Sequence, residues 1–346
     1  MATVLEEEPT NSTMWSLYNA TEDLGSLQAE YKLLNDARLH SREPLACVWL
    51  TILVAGLFGN VAFLYVRARV SYMKTVTNCY LMNLGLADIM FLAINVPLET
   101  CDLFYDVASR FQTLYCVLSS GVTHLSNYTS MLTLALITME RYFAICKPFQ
   151  AERLSSKSRA RRVIAIAWAV ALAFAVIFTI SCFSKGGLGM NAITLILQTL
   201  PFIVSMSTIT VLNVLIVGQL SNRNHAAMSA LESSARAERL QVIRLLIVTE
   251  LLFFICVFPY YLVDFIFGAQ VLSNTCVEDT QKEFCMSLTQ LYALMVSMKT
   301  SMYVNAAINP LIYNVMSSRY RQAFLFAFKC RKQPISESVM YASTQL

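Results

Sequence analysis

The stretch Val163-Ile-Ala-Ile-Ala-Trp-Ala-Val-Ala-Leu-Ala-Phe-Ala-Val-Ile-Phe-Thr-Ile180 carries no charge. It lies within an apolar run over 161–183, and a helix needs about 20 such residues to cross a bilayer. Six further runs occupy 45–67, 76–99, 113–146, 191–220, 240–268 and 287–315. Only helices suit them, because in lipid each segment must satisfy its own backbone hydrogen bonds. The reading is an all-α membrane protein, a bundle of seven transmembrane helices. The third, sixth and seventh runs hold interior polar groups and stand out less by hydropathy. Composition agrees: the 346 residues are 56% hydrophobic and 14% charged, against about 25% charged in a soluble domain. Mean hydropathy is +0.54.

Lys and Arg set the topology. The loops after the first, third and fifth runs, together with the tail, hold seventeen of them, including Arg67, Lys147, Arg223 and Arg319; the opposite side holds six. The N-terminus is therefore expected outside and the C-terminus inside, at the plasma membrane. Residues 1–43 are acidic and lack an apolar core like that of a signal peptide. They are expected to form a disordered outer segment, glycosylated at Asn11 and Asn19, each of which opens a sequon. Residues 44–317 form the bundle and 330–346 a cytoplasmic tail. Between them 318–329 is basic and amphipathic, which suits a helix lying on the lipid surface. No nucleic-acid partner is expected. Nor is an enzyme, since no nucleophile–base pair or metal cluster stands out. Histidines 40, 124 and 225 are far apart in the chain.

Ionisable groups inside a membrane are costly and mark function by default. Asp88 ends Asn83-Leu-Gly-Leu-Ala-Asp88 in mid-helix and needs a partner or a cation. Sodium, with Ser130 and Asn305 as further oxygen ligands, would satisfy it; no cofactor is otherwise required. Asn305 and Asn309 share a face of the seventh helix. Asn60 reads as a hydrogen-bonding link between helices. Glu140-Arg141-Tyr142 ends the third helix, where opposite charges can pair locally or the arginine can snorkel. Pro201, Pro259 and Pro310 interrupt three spans, either as hinges between two arrangements or as breaks that lipid-embedded helices tolerate.

In order and spacing these residues resemble the class A (rhodopsin-like) G-protein-coupled receptors. The resemblance rests on Asn60, Leu84-Gly-Leu-Ala-Asp88, Cys116, Glu140-Arg141-Tyr142, Trp168, Pro201, Cys256-Val-Phe-Pro259 and Asn309-Pro-Leu-Ile-Tyr313, and covers about residues 44–330. Thr77-Asn-Cys-Tyr-Leu-Met-Asn83 and Ile308-Asn-Pro-Leu-Ile-Tyr-Asn-Val-Met-Ser317 look most like the thyrotropin-releasing-hormone, ghrelin and neuromedin type of peptide receptor. The resemblance implies an outer ligand, here a peptide, and a heterotrimeric G protein docking inside against Arg141. It assigns the activation switch to Glu140, Arg141, Tyr142, Phe253, Pro259, Asn309, Pro310 and Tyr313. It assigns a modulatory sodium site to Asp88, Ser130, Asn305 and Asn309. A retinal-type photoreceptor or a non-signalling decoy of the same fold are the alternatives. The photoreceptor needs a lysine where Tyr303 stands.

The chain also departs from the pattern. Val257 stands where the family usually has tryptophan, and Ile209 where a tyrosine is common. The second outer loop is reduced to about 183–191 and has no cysteine. Cys116 must then pair with Cys182 or Cys101, or stay free, and Cys276 is expected to pair with Cys285. Either the pocket mouth is open or a segment is lacking.

By matching spacing, the ligand cavity takes Glu99, Asp102, Thr123, His124, Asn127, Tyr260, Tyr261, Asp264, Lys299 and Tyr303. Lys299 either binds a ligand carboxylate or pairs with Glu99 or Asp264. In the tail, Cys330 is either a palmitoylation site or a free thiol. Ser336, Ser338, Ser343 and Thr344 are candidate phosphorylation sites for arrestin recruitment. Thr344-Gln-Leu346 suits a PDZ domain.

Overall fold

A computed structural model describes residues 11–154, 156–183, 188–222, 230–273 and 287–329. The helices are α1 (Asn11–Arg69), α2 (Val76–Tyr105), α3 (Val107–Arg110), α4 (Gln112–Tyr115), α5 (Val122–Cys146), α6 (Pro148–Leu154), α7 (Lys157–Phe183), α8 (Leu188–Asn222), α9 (Ala230–Ser273), α10 (Leu288–Met316) and α11 (Ser318–Lys329). A π turn, Cys116–Gly121, joins α4 to α5, and the three together form the third long helix. The long helices close a ring. α1 packs on α2 and α10, α5 on α2, α7 and α8, and α9 on α8 and α10.

Five described helices are long and apolar enough to span a membrane: α1, α2, α7, α8 and α9. The third helix and α10 fall short because of what they bury. Ser126, Asn127, Thr129, Ser130 and Thr133 line the inner side of α5, and Asn305 and Asn309 that of α10. The sixth helix, also expected to be weak, passes by composition. Large apolar side chains instead face outward, such as Ile166 and Leu172 on α7, Val211 and Val214 on α8, and Leu311 and Val315 on α10. Lipid is the solvent that makes such an outer face stable.

The N-terminal segment differs from expectation. It is helical from Asn11 and runs without interruption into the first span, with Pro44 inside the helix. Leu33, Leu34, Gln28 and Ala29 are good helix formers, and the outer end of α10 gives the segment a partner. Glu30 accepts from the Leu288 backbone N–H at 2.7 Å, the Arg38 guanidinium sits 5.6 Å from the Tyr292 ring centre, and Ser41 Oγ lies 3.2 Å from the Tyr292 hydroxyl. Glu30 thus satisfies one of the unpaired amides of a helix start. A capping box of Ser287 and Gln290 completes that start. The side chains of Asn11 and Asn19 lie outside the described residues.

At the inner end, α11 lies against the bundle. Tyr320, Ala323 and Ala327 are buried, while Leu325 and Phe328 are exposed. The Tyr320 hydroxyl donates to Asn78 Oδ1, and Arg319 donates to the Tyr72 carbonyl at 2.9 Å. Burial pushes the Tyr320 hydroxyl up to about 12, with Arg141 and Arg319 pulling the other way, so it stays a neutral donor.

Candidate functional site

Polar groups stack in three layers down the interior. In the outer layer Glu99 of α2 is buried. It accepts from Ser119 Oγ at 2.6 Å and from Lys299 Nζ at 2.5 Å. The π turn is what brings Ser119 inward, since an i→i+5 turn inserts a residue and rotates the face that follows. The pair is lopsided: the Lys299 side chain is 39% exposed and that of Glu99 6%. Of the two partners open to Lys299, it takes Glu99; the Asp264 side chain lies outside the described residues. Tyr303 closes the floor, packed edge-on to Trp49 at 5.5 Å and against Phe91 at 5.4 Å.

Across the bundle the layer turns aromatic. The His124 ring stacks on Phe178 at 3.6 Å and stands edge-on to Tyr260 at 6.3 Å. Tyr261 stacks on Phe202 at 4.5 Å. Thr123 donates to Asn95 Oδ1 at 3.2 Å, and His124 Nδ1 lies 2.8 Å from the Ser120 carbonyl. His124 Nε2, Asn127 Nδ2 and Asn95 Nδ2 are buried without a hydrogen-bond partner among the described residues. Buried polar atoms of that kind are costly unless something completes them. The outer layer therefore has one charged side and one aromatic side.

Two expected positions gain detail. Asp102 accepts from the Ala108 backbone N–H at 2.6 Å, because α2 ends there on Asp106 in the left-handed conformation (φ 50). One of its carboxylate oxygens holds this turn. Cys101 is an exposed free thiol, so it is not the partner of Cys116. Nor is Cys116 free, as it is disulfide-bonded to a sulfur outside the described residues. The side chain of Cys182 and all of Cys276, Cys285 and Cys330 also lie outside them, as do the tail's serines, threonines and terminal leucine.

In the middle layer Asn309 donates through Nδ2 to Asp88 Oδ2 at 2.9 Å. Ser130 and Asn305 are buried on facing helices. A carboxylate, a hydroxyl and an amide oxygen are hard donors of the kind small cations take, so the donor set fits sodium. Asn309 meets Asp88 through its nitrogen, which leaves Oδ1 as its oxygen donor. Asn60 donates to the Gly56 and Ala306 carbonyls, both at 3.0 Å, which joins α1 to α10 as a link between helices. Asn83 joins three helices. It donates to Thr133 at 2.8 Å and accepts from Trp168 Nε1 at 2.8 Å. Val257, Phe253, Ile209 and Met131 are buried in one apolar cluster, so Val257 and Ile209 stand as core residues.

In the inner layer Glu140 Oε2 lies 3.3 Å from Arg141 Nε and accepts from Thr77 Oγ1 at 3.0 Å. Tyr142 stands edge-on to Phe143. Tyr313 is buried against Phe63 at 5.2 Å and Tyr320 at 5.7 Å, and its hydroxyl has no hydrogen-bond partner among the described residues. Pro259 and Pro310 both sit within unbroken helix. Sequence reasoning missed Glu250. This buried α9 carboxylate accepts from Thr138 Oγ1 and from Asn213 Nδ2, the latter at 2.5 Å. The signal was available, because Glu250 is an acid inside the apolar run 240–268.

These layers define a polytopic membrane receptor: charge enclosed at both ends of a helix bundle and joined by a buried polar column. The chain belongs to the rhodopsin family of seven-transmembrane receptors, since residues 59–313 match the family described as 7 transmembrane receptor (rhodopsin family). It is 28% identical to Neuromedin-U receptor 2 of Homo sapiens, over 84% of this chain and 73% of that receptor. It is 27% identical to Growth hormone secretagogue receptor type 1 of Mustela putorius furo, over 93% of this chain and 90% of that one.

Proposed function

We propose that this chain is a G-protein-coupled receptor of the plasma membrane. It takes a peptide at its outer cavity and activates a heterotrimeric G protein at its inner face. The observation that carries the reading is the Glu99–Lys299 pair at the head of a column that ends at Arg141. A charged, half-accessible pair suits a ligand bearing a terminal amine or carboxylate, which competes for one member while the aromatic wall takes side chains. The names of its relatives point the same way. The tie between Lys299 and Glu99, with Tyr303 at the family's retinal-lysine position, speaks against a photoreceptor.

In this mechanism ligand and G protein each favour the same open arrangement. Each must therefore raise the other's affinity by the same factor. Sodium at Asp88 with Ser130 and Asn305 favours the closed one. The N-terminus faces outward and α11 lies on cytoplasmic lipid. Arrestin and PDZ partners would read the tail. The test is a peptide screen on the receptor in lipid nanodiscs, read as nucleotide exchange on added G proteins. Some peptide should drive exchange, and Arg141→Ala should abolish it while surface expression persists. Exchange that is unchanged in Arg141→Ala would remove the role given to Arg141.

A further inference from the structure

The inner ends of α5, α8 and α9 meet at one buried carboxylate. Glu250 Oε1 accepts from Thr138 on α5, and Oε2 accepts from Asn213 on α8. Arg141 lines the same small cavity, with Thr138, Asn213, Ile216 and Leu246. Its guanidinium is paired with Glu140. The cavity is about 10 Å³, close to what a single water needs. Leu245 and Leu246 are buried in one cluster with Ile137 and Tyr313. The inner cleft is therefore shut, with α9 packed in.

We propose that Glu250 is the clasp that holds α9 in this shut position. It is a positioning residue for receptor activation, and the idea rests on the reading above that opening of the inner cleft is the activating step. Apolar contact gives little net drive between helices in lipid, since the tails are as apolar as leucine. Hydrogen bonds between helices therefore carry a larger share of the balance. Both oxygens of Glu250 reach outside α9, one to each neighbour, so α9 cannot move away from α5 and α8 without breaking both bonds. Asn60 and Asn83 also join helices, but their partners lie on α10, α5 and α7 and not on α9.

The experiment uses the full chain in nanodiscs without ligand. Nitroxide labels replace Arg161 on α7 and Arg244 on α9, both exposed, in a background lacking the exposed thiols Cys47 and Cys101. Pulsed electron resonance then reads the distance distribution. Two lost interhelical bonds should raise the open-to-shut ratio about tenfold in Glu250→Leu. Asn213→Leu alone should raise it about threefold. Adding Asn213→Leu to Glu250→Leu should change nothing further, because the bond is already gone. Glu250→Gln should stay near the parent, since one amide accepts from Thr138 and donates to a turned Asn213. An unchanged distribution in Glu250→Leu overturns the clasp, as does Glu250→Gln behaving like leucine. The same variants are assayed for basal nucleotide exchange. A distance shift with no exchange on any G protein supports the clasp and removes the receptor reading instead.

Discussion

Replacing Lys299 with methionine removes one charge from a pair whose other member cannot reach water. The Glu99 side chain is 6% exposed and that of Lys299 39%, with Nζ 2.5 Å from Oε2. Stripping a partner from a fully buried pair costs about 3–5 kcal/mol, while an exposed pair contributes about 0–1 kcal/mol. The half-open lysine puts this pair between the two. Ser119 remains as a donor to Glu99 and softens the loss. We expect Lys299→Met to lower stability by about 1–3 kcal/mol. That should appear as a fall of several degrees in the unfolding midpoint, measured in detergent by fluorescence-detected size exclusion. Glu99→Gln should cost less, because the ammonium left without its partner is half-exposed and reaches water. The double variant should recover most of the loss, with a coupling energy of about 1 kcal/mol or more. The same cycle on peptide binding separates the two uses of the pair. If a ligand carboxylate takes Lys299, Lys299→Met weakens binding even in the Glu99→Gln background. Additive single effects on stability would refute the reasoning, because they would mean the ammonium and the carboxylate do not sense each other.

Other outcomes follow from the same coordinates. A β-carbon at Gly56 would lie 2.5 Å from Leu92 Cδ1 and 3.1 Å from the backbone Cα of Ala307, so Gly56→Val should wedge α1 from α10. Thermal unfolding should show a loss of about 1–3 kcal/mol; a fully stable variant would mean that the close approach is wrong. Asp88→Asn should abolish sodium-dependent protection against heating, and protection that survives the change would place the ion elsewhere. Cys101 should react on intact cells with a membrane-impermeant maleimide, and Cys101→Ser should lose that signal after Cys47 is also replaced. Labelling that needs permeabilised cells would reverse the orientation.

Much of this protein was legible without coordinates. Apolar runs near bilayer length gave the seven spans, and the same feature made the third and seventh weak, because helices facing a polar interior must spend residues on it. Asp88, Asn60 and Glu140-Arg141 stood out because lipid makes each of them costly. At two places local structure added what the sequence did not show. Asp102 shares Glu99's charge but sits where α2 ends, and the turn claims its oxygen. Polar residues from Asn11 onward looked too hydrophilic to order, yet α10 offers their helix a surface through Tyr292 and Leu288.

Hydropathy and charge bias are properties of segments, so the order of residues by itself determined the class of fold, the number of crossings and the costly groups within them. Which of those groups meet is a property of how helices are rotated about their axes. That depends on packing summed over the whole bundle. Only the tertiary structure decided that Lys299 takes Glu99, that Cys101 stays reduced, and that Glu250 is held by both Thr138 and Asn213.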